Sequence, residues 1–130
     1  MKVLLVDDDE ALGLVFSTAI QKEGFDVIVS KDGRSGLNTA REQKPDLILL
    51  DQVLPDISGN DILQQLKADV QTKSIPIMML SNFGQEELVK QAIDRGAIDY
   101  VFKYQVEMQD IVDKVKNVLK APVQQPSAQS

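Results

Sequence analysis

Several polar residues in this sequence could take part in one chemical reaction, because each lies at the end of a short apolar run. They are the pair Asp7 and Asp8, then Asp51, Ser81 and Lys103. A carboxylate is a competent nucleophile, and a lysine together with a hard cation could neutralise a phosphoryl group arriving at it. The residue types therefore favour phosphoryl transfer to an aspartate.

A cation site is expected among the carboxylates of Asp7, Asp8 and Asp51. Carboxylates about 4 Å apart repel one another by about 4 kcal/mol per pair at an effective dielectric constant of about 20. A bound hard cation relieves that repulsion. With only oxygen ligands available, Mg²⁺ is the natural choice, because it binds through one or two carboxylates, retained waters and a phosphate.

The composition excludes several other kinds of chemistry. The chain has 130 residues, a formal net charge of -6, and neither histidine nor cysteine. The missing histidine rules out Ser-His-Asp catalysis and histidine metal ligands on this chain. The acidic balance argues against direct nucleic-acid binding, which needs clustered lysine and arginine. A cytoplasmic location is expected, and no apolar stretch of about 18 residues is present that could span a membrane.

Short apolar runs bounded by breakers predict five strands. The runs are Val3–Val6, Phe25–Ser30, Leu47–Leu50, Ile77–Leu80 and Tyr100–Phe102. Apolar residues at helical spacing predict a helix after each strand, the first over residues 10–23 and the last starting near Val106. In the fourth helix, Ile93 is expected to face the core.

This alternation specifies an α/β sandwich, since right-handed crossovers through helices force a mainly parallel sheet. At this length a flavodoxin-like (βα)5 doubly wound fold with strand order 2-1-3-4-5 is expected. That order places Asp7 and Asp8 beside Asp51, and strands four and five bring Ser81 and Lys103 to the same edge. Each residue alone could be a cap, a turn residue or a solvated charge, but together they stand at four strand ends in the right order.

One domain is predicted over residues 1–120. Residues 121–130 are polar and proline-rich without periodicity, which is typical of a disordered tail or the start of a linker. The sequence has no internal repeat beyond the alternation of strands and helices.

The chain resembles the CheY-like receiver domain of two-component response regulators over about residues 1 to 120. The matching landmarks are Val6-Asp7-Asp8, Leu50-Asp51, Leu54-Pro55-Asp56, Gly59, Ser81 and Asp99-Tyr100-Val101-Phe102-Lys103. The resemblance implies that Asp51 is the phosphoacceptor. It also implies that Asp8 and Asp51 bind Mg²⁺ directly with the main-chain oxygen of Val53, and that Asp7 binds it through water.

The resemblance further implies a phosphorylation-driven switch rather than an enzyme with a separate substrate. Ser81 and Lys103 would contact the phosphoryl oxygens, and Tyr100 matches the aromatic switch residue, which in the family turns inward as the hydroxyl moves toward the phosphate. A sensor histidine kinase or a histidine phosphotransfer protein would supply the phosphoryl group, and phosphorylation and dephosphorylation would be self-catalysed. The surface from Gln85 to Lys120, made by the fourth helix, fifth strand and fifth helix, would dimerise or bind a downstream effector.

Three residues depart from the family pattern. Tyr104 follows the lysine where the family usually has a proline joined by a cis bond, so this bond is either trans or held by strong local packing. Asn82 stands where a small residue is common, and Val53 where a polar side chain is frequent. Our hypothesis is that Val53, unable to orient an attacking water, gives a long-lived acyl phosphate. The alternative is that turnover depends on Asn82 or on an external phosphatase.

Three other functions share parts of this pattern. A haloacid-dehalogenase-like, Mg²⁺-dependent aspartyl phosphatase would need a second aspartate where Val53 stands. A flavodoxin-like electron carrier would need a hydroxyl-rich phosphate loop after the first strand, where residues 7–10 would instead repel a phosphate. A degenerate receiver that docks without phosphorylation keeps the fold, but the complete set of acids, hydroxyl and lysine makes it the weaker choice.

Overall fold

The structure, a computed structural model, describes residues 1–82 and 85–127. Within these residues five strands alternate with five helices, as the sequence predicts. The strands are β1 (Lys2–Val6), β2 (Asp26–Ser30), β3 (Leu47–Asp51), β4 (Ile77–Ser81) and β5 (Asp99–Phe102). The helices are α1 (Glu10–Gln21), α2 (Gly33–Gln43), α3 (Gly59–Ala68), α4 (Glu86–Asp94) and α5 (Met108–Ser127).

All five strands are parallel and lie in the order β2-β1-β3-β4-β5, which confirms the predicted flavodoxin-like topology. In the register of β1 and β3, Val6 pairs with Leu50, so the residues that follow them, Asp7 and Asp51, lie side by side at the carboxyl ends of these strands. Ser81 pairs with Phe102, the residue before Lys103. The sheet register therefore delivers all these polar residues to one edge.

Both faces of the sheet are buried under helices. Successive side chains of a strand point to opposite faces, and the apolar runs accordingly divide between two core clusters. The first cluster contains Leu4, Val6, Ile48, Leu50 and Met79, together with Ile62, Leu63 and Leu66 of α3. The second contains Val3, Leu5, Leu47, Leu49 and Met78, together with Phe16 and Ile20 of α1 and Ile111 and Val115 of α5. An apolar strand without alternation is stable only in such a two-sided environment.

Side-chain caps fix where three of the helices begin. The side chains of Asp9, Asp32 and Ser58 accept hydrogen bonds from the first-turn amides of Leu12, Ser35 and Asp61. Such a cap satisfies a helix N–H that has no partner within the helix. Because Asp9 caps α1, the carboxylate of its neighbour Asp8 is not used as the cap.

One prediction about a core residue is wrong. Ile93 is 46% exposed, because Ala92 is the buried residue of α4 and the next residue along a helix is rotated away from the sheet. Helix α5 begins at Met108, close to the start predicted near Val106, and Val106 packs against the second core cluster from the connecting loop.

Two further points concern the ends and the membrane. Helix α5 continues to Ser127, inside the segment 121–130 for which the sequence favours a tail, and residues 128–130 lie outside the described residues. The domain boundary at residue 120 therefore stays a prediction. No helix in the described part of the chain is both long and apolar enough to cross a bilayer.

Candidate functional site

Asp51 ends the central strand β3 and is almost fully buried, with 5% of its surface exposed. The chain directly after it is held by two hydrogen bonds: the Gln52 N–H donates to the Leu80 carbonyl (2.8 Å), and the Gly59 N–H donates to the Gln52 carbonyl (2.8 Å). Gly59 approaches so closely that a Cβ there would overlap the Asp51 carbonyl oxygen. The nucleophile candidate is therefore rigidly positioned by its own backbone.

Lys103 reaches the acids from the end of β5, at the same edge of the sheet. Its Nζ lies 2.8 Å from Asp7 Oδ2 and 3.3 Å from Asp51 Oδ2, and its side chain is 2% exposed. The Lys103 N–H donates to the Ser81 carbonyl (2.7 Å), which fixes the end of β5 against β4. Although burial lowers the pKa of Lys103, its hydrogen bond with Asp7 and the charges of both aspartates raise that pKa above its ordinary value. Lys103 is thus a cation at neutral pH.

The ionisation of Asp51 is set by competing effects. Burial raises its pKa, the positive charge of Lys103 lowers it, and the negative charge of Asp7 raises it again. The result is a pKa of about 6, compared with 3.8 for an unperturbed aspartate. At pH 7 the carboxylate is consequently ionised for most of the time, as a nucleophile must be.

The three carboxylates predicted to bind a cation do lie together. Asp7, Asp8 and Asp51 each offer an oxygen, and these oxygens are all within 4.8 Å of one another. Asp7 and Asp51 are buried whereas Asp8 is exposed, and the Asp9 N–H holds Asp7 Oδ1 at 3.0 Å.

This donor set fits Mg²⁺ in charge and chemistry. The cluster contains three acidic side chains and one lysine, so acidic groups outnumber basic ones, and every available ligand atom is an oxygen.

The loop after β3 contains Val53, whose N–H hydrogen bonds to the Asp51 carboxylate. Val53 is 66% exposed, so it is not part of the core. Tyr104 is also exposed (68%), and the peptide bond that joins it to Lys103 is trans, as are the others in the described ranges. The role of the Val53 main-chain oxygen as a ligand stays a prediction.

Ser81 and Tyr100, the predicted switch residues, are both buried at this edge, with 3% and 8% of their surfaces exposed. Burial raises the pKa of Tyr100, and a hydrogen bond between the Tyr100 and Ser81 side chains lowers it. The Tyr100 hydroxyl also donates to Gln52 Oε1 at 3.2 Å. The ring therefore points inward.

Gln52 is the residue of this site that the sequence prediction missed. It is 4% exposed, and it comes directly after Asp51. The available signal was a polar side chain at the end of a strand buried on both faces. Such a side chain needs an internal hydrogen-bond partner unless the chain turns it to solvent.

Comparison with known proteins gives one consistent family. The model of the response regulator receiver domain matches residues 3–116. The DNA-binding dual master transcriptional regulator RpaA of Synechocystis sp. is 34% identical over 127 residues, which are 98% of this chain and 52% of the relative. The DNA-binding response regulator MtrA of Mycolicibacterium smegmatis is 35% identical over 126 residues, 97% of this chain and 54% of the relative. The chain thus spans about half the length of these curated relatives.

Solved structures agree on the fold. A CheY-like response regulator receiver domain protein from Methanospirillum hungatei JF-1 superposes with a TM-score of 0.87, covering 95% of this chain and 97% of that chain. At 24% sequence identity, this similarity supports the architecture and not the role of any single residue.

Proposed function

This chain belongs to the response regulator receiver domain family, and we propose that Asp51 is the residue that accepts its phosphoryl group. Receiver domains of this family are phosphoryl-accepting signalling switches. The observation that carries the assignment is the ion pair between Asp51 and Lys103, which holds a buried, ionised carboxylate at the carboxyl edge of the sheet. At that edge an incoming phosphoryl group can reach it, because ligands of open parallel sheets bind beyond the strand ends.

The proposed donor is a phosphohistidine of a sensor histidine kinase or a histidine phosphotransfer protein. An Asp51 carboxylate oxygen forms a bond to phosphorus while the bond from phosphorus to the donor's imidazole nitrogen breaks, and the released imidazole keeps its electron pair. Lys103 Nζ lies 3.3 Å from Asp51 Oδ2, and its positive charge stabilises the negative charge on the phosphoryl oxygens. Ser81 is proposed to donate its hydroxyl hydrogen to one of those oxygens. Since positioning and charge stabilisation suffice for phosphoryl transfer, the receiver itself catalyses this step and the later hydrolysis.

We propose that Mg²⁺ is held directly by Asp8, Asp51 and the main-chain oxygen of Val53, and through a water by Asp7. When bound, the ion supplies positive charge that offsets the carboxylates and the phosphoryl oxygens. The cluster of three carboxylate oxygens within 4.8 Å of one another supports this assignment.

The output surface is proposed to be the face formed by α4, β5 and α5, over residues 85–120. Tyr100 in β5 connects this face to the site, because its hydroxyl lies among Gln52 and Ser81 while its strand forms the surface. Ile93 and Ile98 on or beside α4 are 46% and 48% exposed, which offers apolar area to a second copy or a downstream effector. Phosphorylation adds charge beside Ser81 and biases this face between two arrangements.

The relatives named for DNA binding are about twice as long as this segment. We propose that the acidic receiver does not itself contact DNA, and that it works in the cytoplasm, as response regulators generally do.

Val53 is proposed to prolong the life of the phosphorylated state. Val53 is exposed and its N–H hydrogen bonds to the Asp51 carboxylate, and its isopropyl group has no polar atom that could orient a water for attack on the acyl phosphate. Substitution Val53→Glu should shorten the half-life measured by loss of the phosphoryl adduct in Mg²⁺ after donor removal. A wild-type half-life of only seconds would contradict the idea.

The assignment of Asp51 is tested by incubating the protein with Mg²⁺ and acetyl phosphate and measuring its intact mass. Wild type and the surface control Asp26→Asn should gain one phosphoryl group, whereas Asp51→Asn should gain none. An equal adduct in Asp51→Asn would refute the assignment. A wild type that takes up no phosphoryl group would instead favour a degenerate receiver, and rapid catalytic consumption of the donor would favour an aspartyl phosphatase.

A further inference from the structure

Gln52 has a buried amide that the proposed phosphoryl chemistry does not use. It lies between the proposed phosphoacceptor and the loop that leads to α3, and only 4% of its surface is exposed. A buried amide is costly unless its polar atoms find partners. The partner of its oxygen is the Tyr100 hydroxyl, at 3.2 Å.

The backbone of Gln52 is fixed on both sides, so its side chain starts from a rigid base. Its N–H donates to the Leu80 carbonyl and its carbonyl accepts from the Gly59 N–H, each at 2.8 Å. A Cβ on Gly59 would lie 2.7 Å from the Gln52 Cα, which shows how tightly the loop closes over this residue. The oxygen that meets Tyr100 is therefore preorganised.

Burying Tyr100 would be unfavourable if its hydroxyl group had no hydrogen-bond partner. The residue is 8% exposed, and the only other ring that it contacts within the described residues is that of Phe102, tilted by 50° at 5.5 Å between centroids. A buried tyrosine hydroxyl usually needs a hydrogen-bond partner. Gln52, which is 48 residues away in sequence and directly follows β3, supplies one such partner, and the Ser81 side chain supplies another.

We propose that Gln52 is a positioning residue that holds the Tyr100 ring inward before Asp51 is phosphorylated. The role of this ring orientation in signalling rests on the proposed function, whereas the orientation itself does not depend on it. In this chain the ring needs no phosphoryl group to turn inward. Phosphorylation of Asp51 then acts on a domain in which the Tyr100 ring already points inward.

The chain offers a direct optical test, because it contains no tryptophan and two tyrosines, Tyr100 and Tyr104. In a Tyr104→Phe background the tyrosine fluorescence comes from Tyr100 alone, and acrylamide quenching reports its exposure. Without any phosphoryl donor, the quenching constant should be low. Replacing the acceptor by a side chain of similar shape, Gln52→Met, should raise the population with the ring outward about fivefold, the change that one ordinary hydrogen bond supplies.

Two further variants separate positioning from general destabilisation. Gln52→Glu keeps an acceptor oxygen and should keep quenching low, whereas Gln52→Leu lacks one and should behave like Gln52→Met. Gln52→Leu also serves if the methionine variant fails to unfold cooperatively. Low quenching in both acceptor-free variants would overturn the proposal and assign the burial of Tyr100 to its packing and to its hydrogen bond with Ser81. High quenching in the Gln52-containing background would overturn it as well.

A second arm distinguishes this inference from the function on which it builds. After acetyl phosphate and Mg²⁺ are added, quenching should stay constant in the Tyr104→Phe background and should fall in Gln52→Met, as phosphorylation draws the freed ring inward. Intact mass of the same samples would show whether Asp51 fails to take up a phosphoryl group. In that case the quenching results obtained without a phosphoryl donor would still test the role of Gln52. A large fall in the Gln52-containing background would contradict a ring that is preset inward.

Discussion

Removing the charge of Asp51 should stabilise the protein when no divalent cation is present. The buried carboxylate has a pKa of about 6, compared with 3.8 for an unperturbed aspartate, mainly because burial disfavours its charged form. A difference of about two pKa units corresponds to about 3 kcal/mol at about 1.36 kcal/mol per unit. Asp51→Asn has no charge to bury, so at pH 8 in EDTA it should unfold with up to about 3 kcal/mol more free energy than wild type.

The sign of the pH dependence is fixed by the direction of the shift. Because the pKa is higher in the folded than in the unfolded state, the folded protein binds the proton more tightly. Wild type therefore loses stability as pH rises from about 4 to about 6, whereas Asp51→Asn does not lose this contribution. The advantage of the variant should be near zero at pH 4 and complete at pH 8.

Urea denaturation followed by circular dichroism measures this difference. With a slope of about 2 kcal/mol per molar urea, the midpoint of Asp51→Asn should lie about 1 to 1.5 M above that of wild type at pH 8. Asp26→Asn, which removes an exposed charge from β2, is the control for net charge and should shift the midpoint little. An Asp51→Asn variant that is less stable than wild type at pH 8 would show that the ion pair with Lys103 outweighs the desolvation of Asp51, contrary to our reasoning.

Three other predictions follow from the same geometry. Mg²⁺ at ten times its dissociation constant should stabilise wild type by about 1.4 kcal/mol, and a thermal melt of Asp8→Asn should show a smaller gain; equal gains would remove Asp8 from the metal site. Gly59→Ala should lower the unfolding free energy by about 1 to 3 kcal/mol, because the added Cβ would overlap backbone atoms. Gly13→Ala should raise the unfolding free energy by up to about 1 kcal/mol, because the nearest atom to the added Cβ would be 3.9 Å away and alanine favours a helix over glycine. Urea midpoints of the two variants that move in the same direction would contradict this. The carboxylate of Asp56 accepts hydrogen bonds from the first amides of α2, and these hydrogen bonds lower its pKa. Asp56→Ala should therefore be less stable than wild type at neutral pH, and the difference in stability should close as pH falls below about 4. A stability difference that is independent of pH would show that the carboxylate charge plays no part.

The sheet could be predicted from the sequence because its signals are local and redundant. Each strand is a run of apolar residues that ends in a polar one, and parallel pairing then brings Asp7, Asp51, Ser81 and Lys103 to one edge whatever the details of packing. The contact between Gln52 and Tyr100 could not be predicted in this way. It depends on which direction one side chain takes after a strand end, and a polar residue next to a loop usually turns to solvent.

The exposure of Ile93 and the choice of the α1 cap were also hard to predict, because both depend on details of packing and loop course. Ile93 was expected inside because it continues an apolar stripe, yet a helix of nine residues presents a narrow face and Ala92 occupies it. Choosing Asp9 over Asp8 as the cap of α1 likewise required the course of the loop, since either residue type can cap a helix.

The central claim is that Asp51 carries the phosphoryl group, and chemical trapping tests it at the level of the residue. After incubation with Mg²⁺ and acetyl phosphate, borohydride reduces an acyl phosphate of aspartate to homoserine, and peptide mass mapping locates the modified position. We predict homoserine at position 51 and nowhere else, and its loss when Mg²⁺ is removed with EDTA before the donor is added. Homoserine at position 7 or 8, or a phosphorylated protein with unmodified Asp51, would contradict the account.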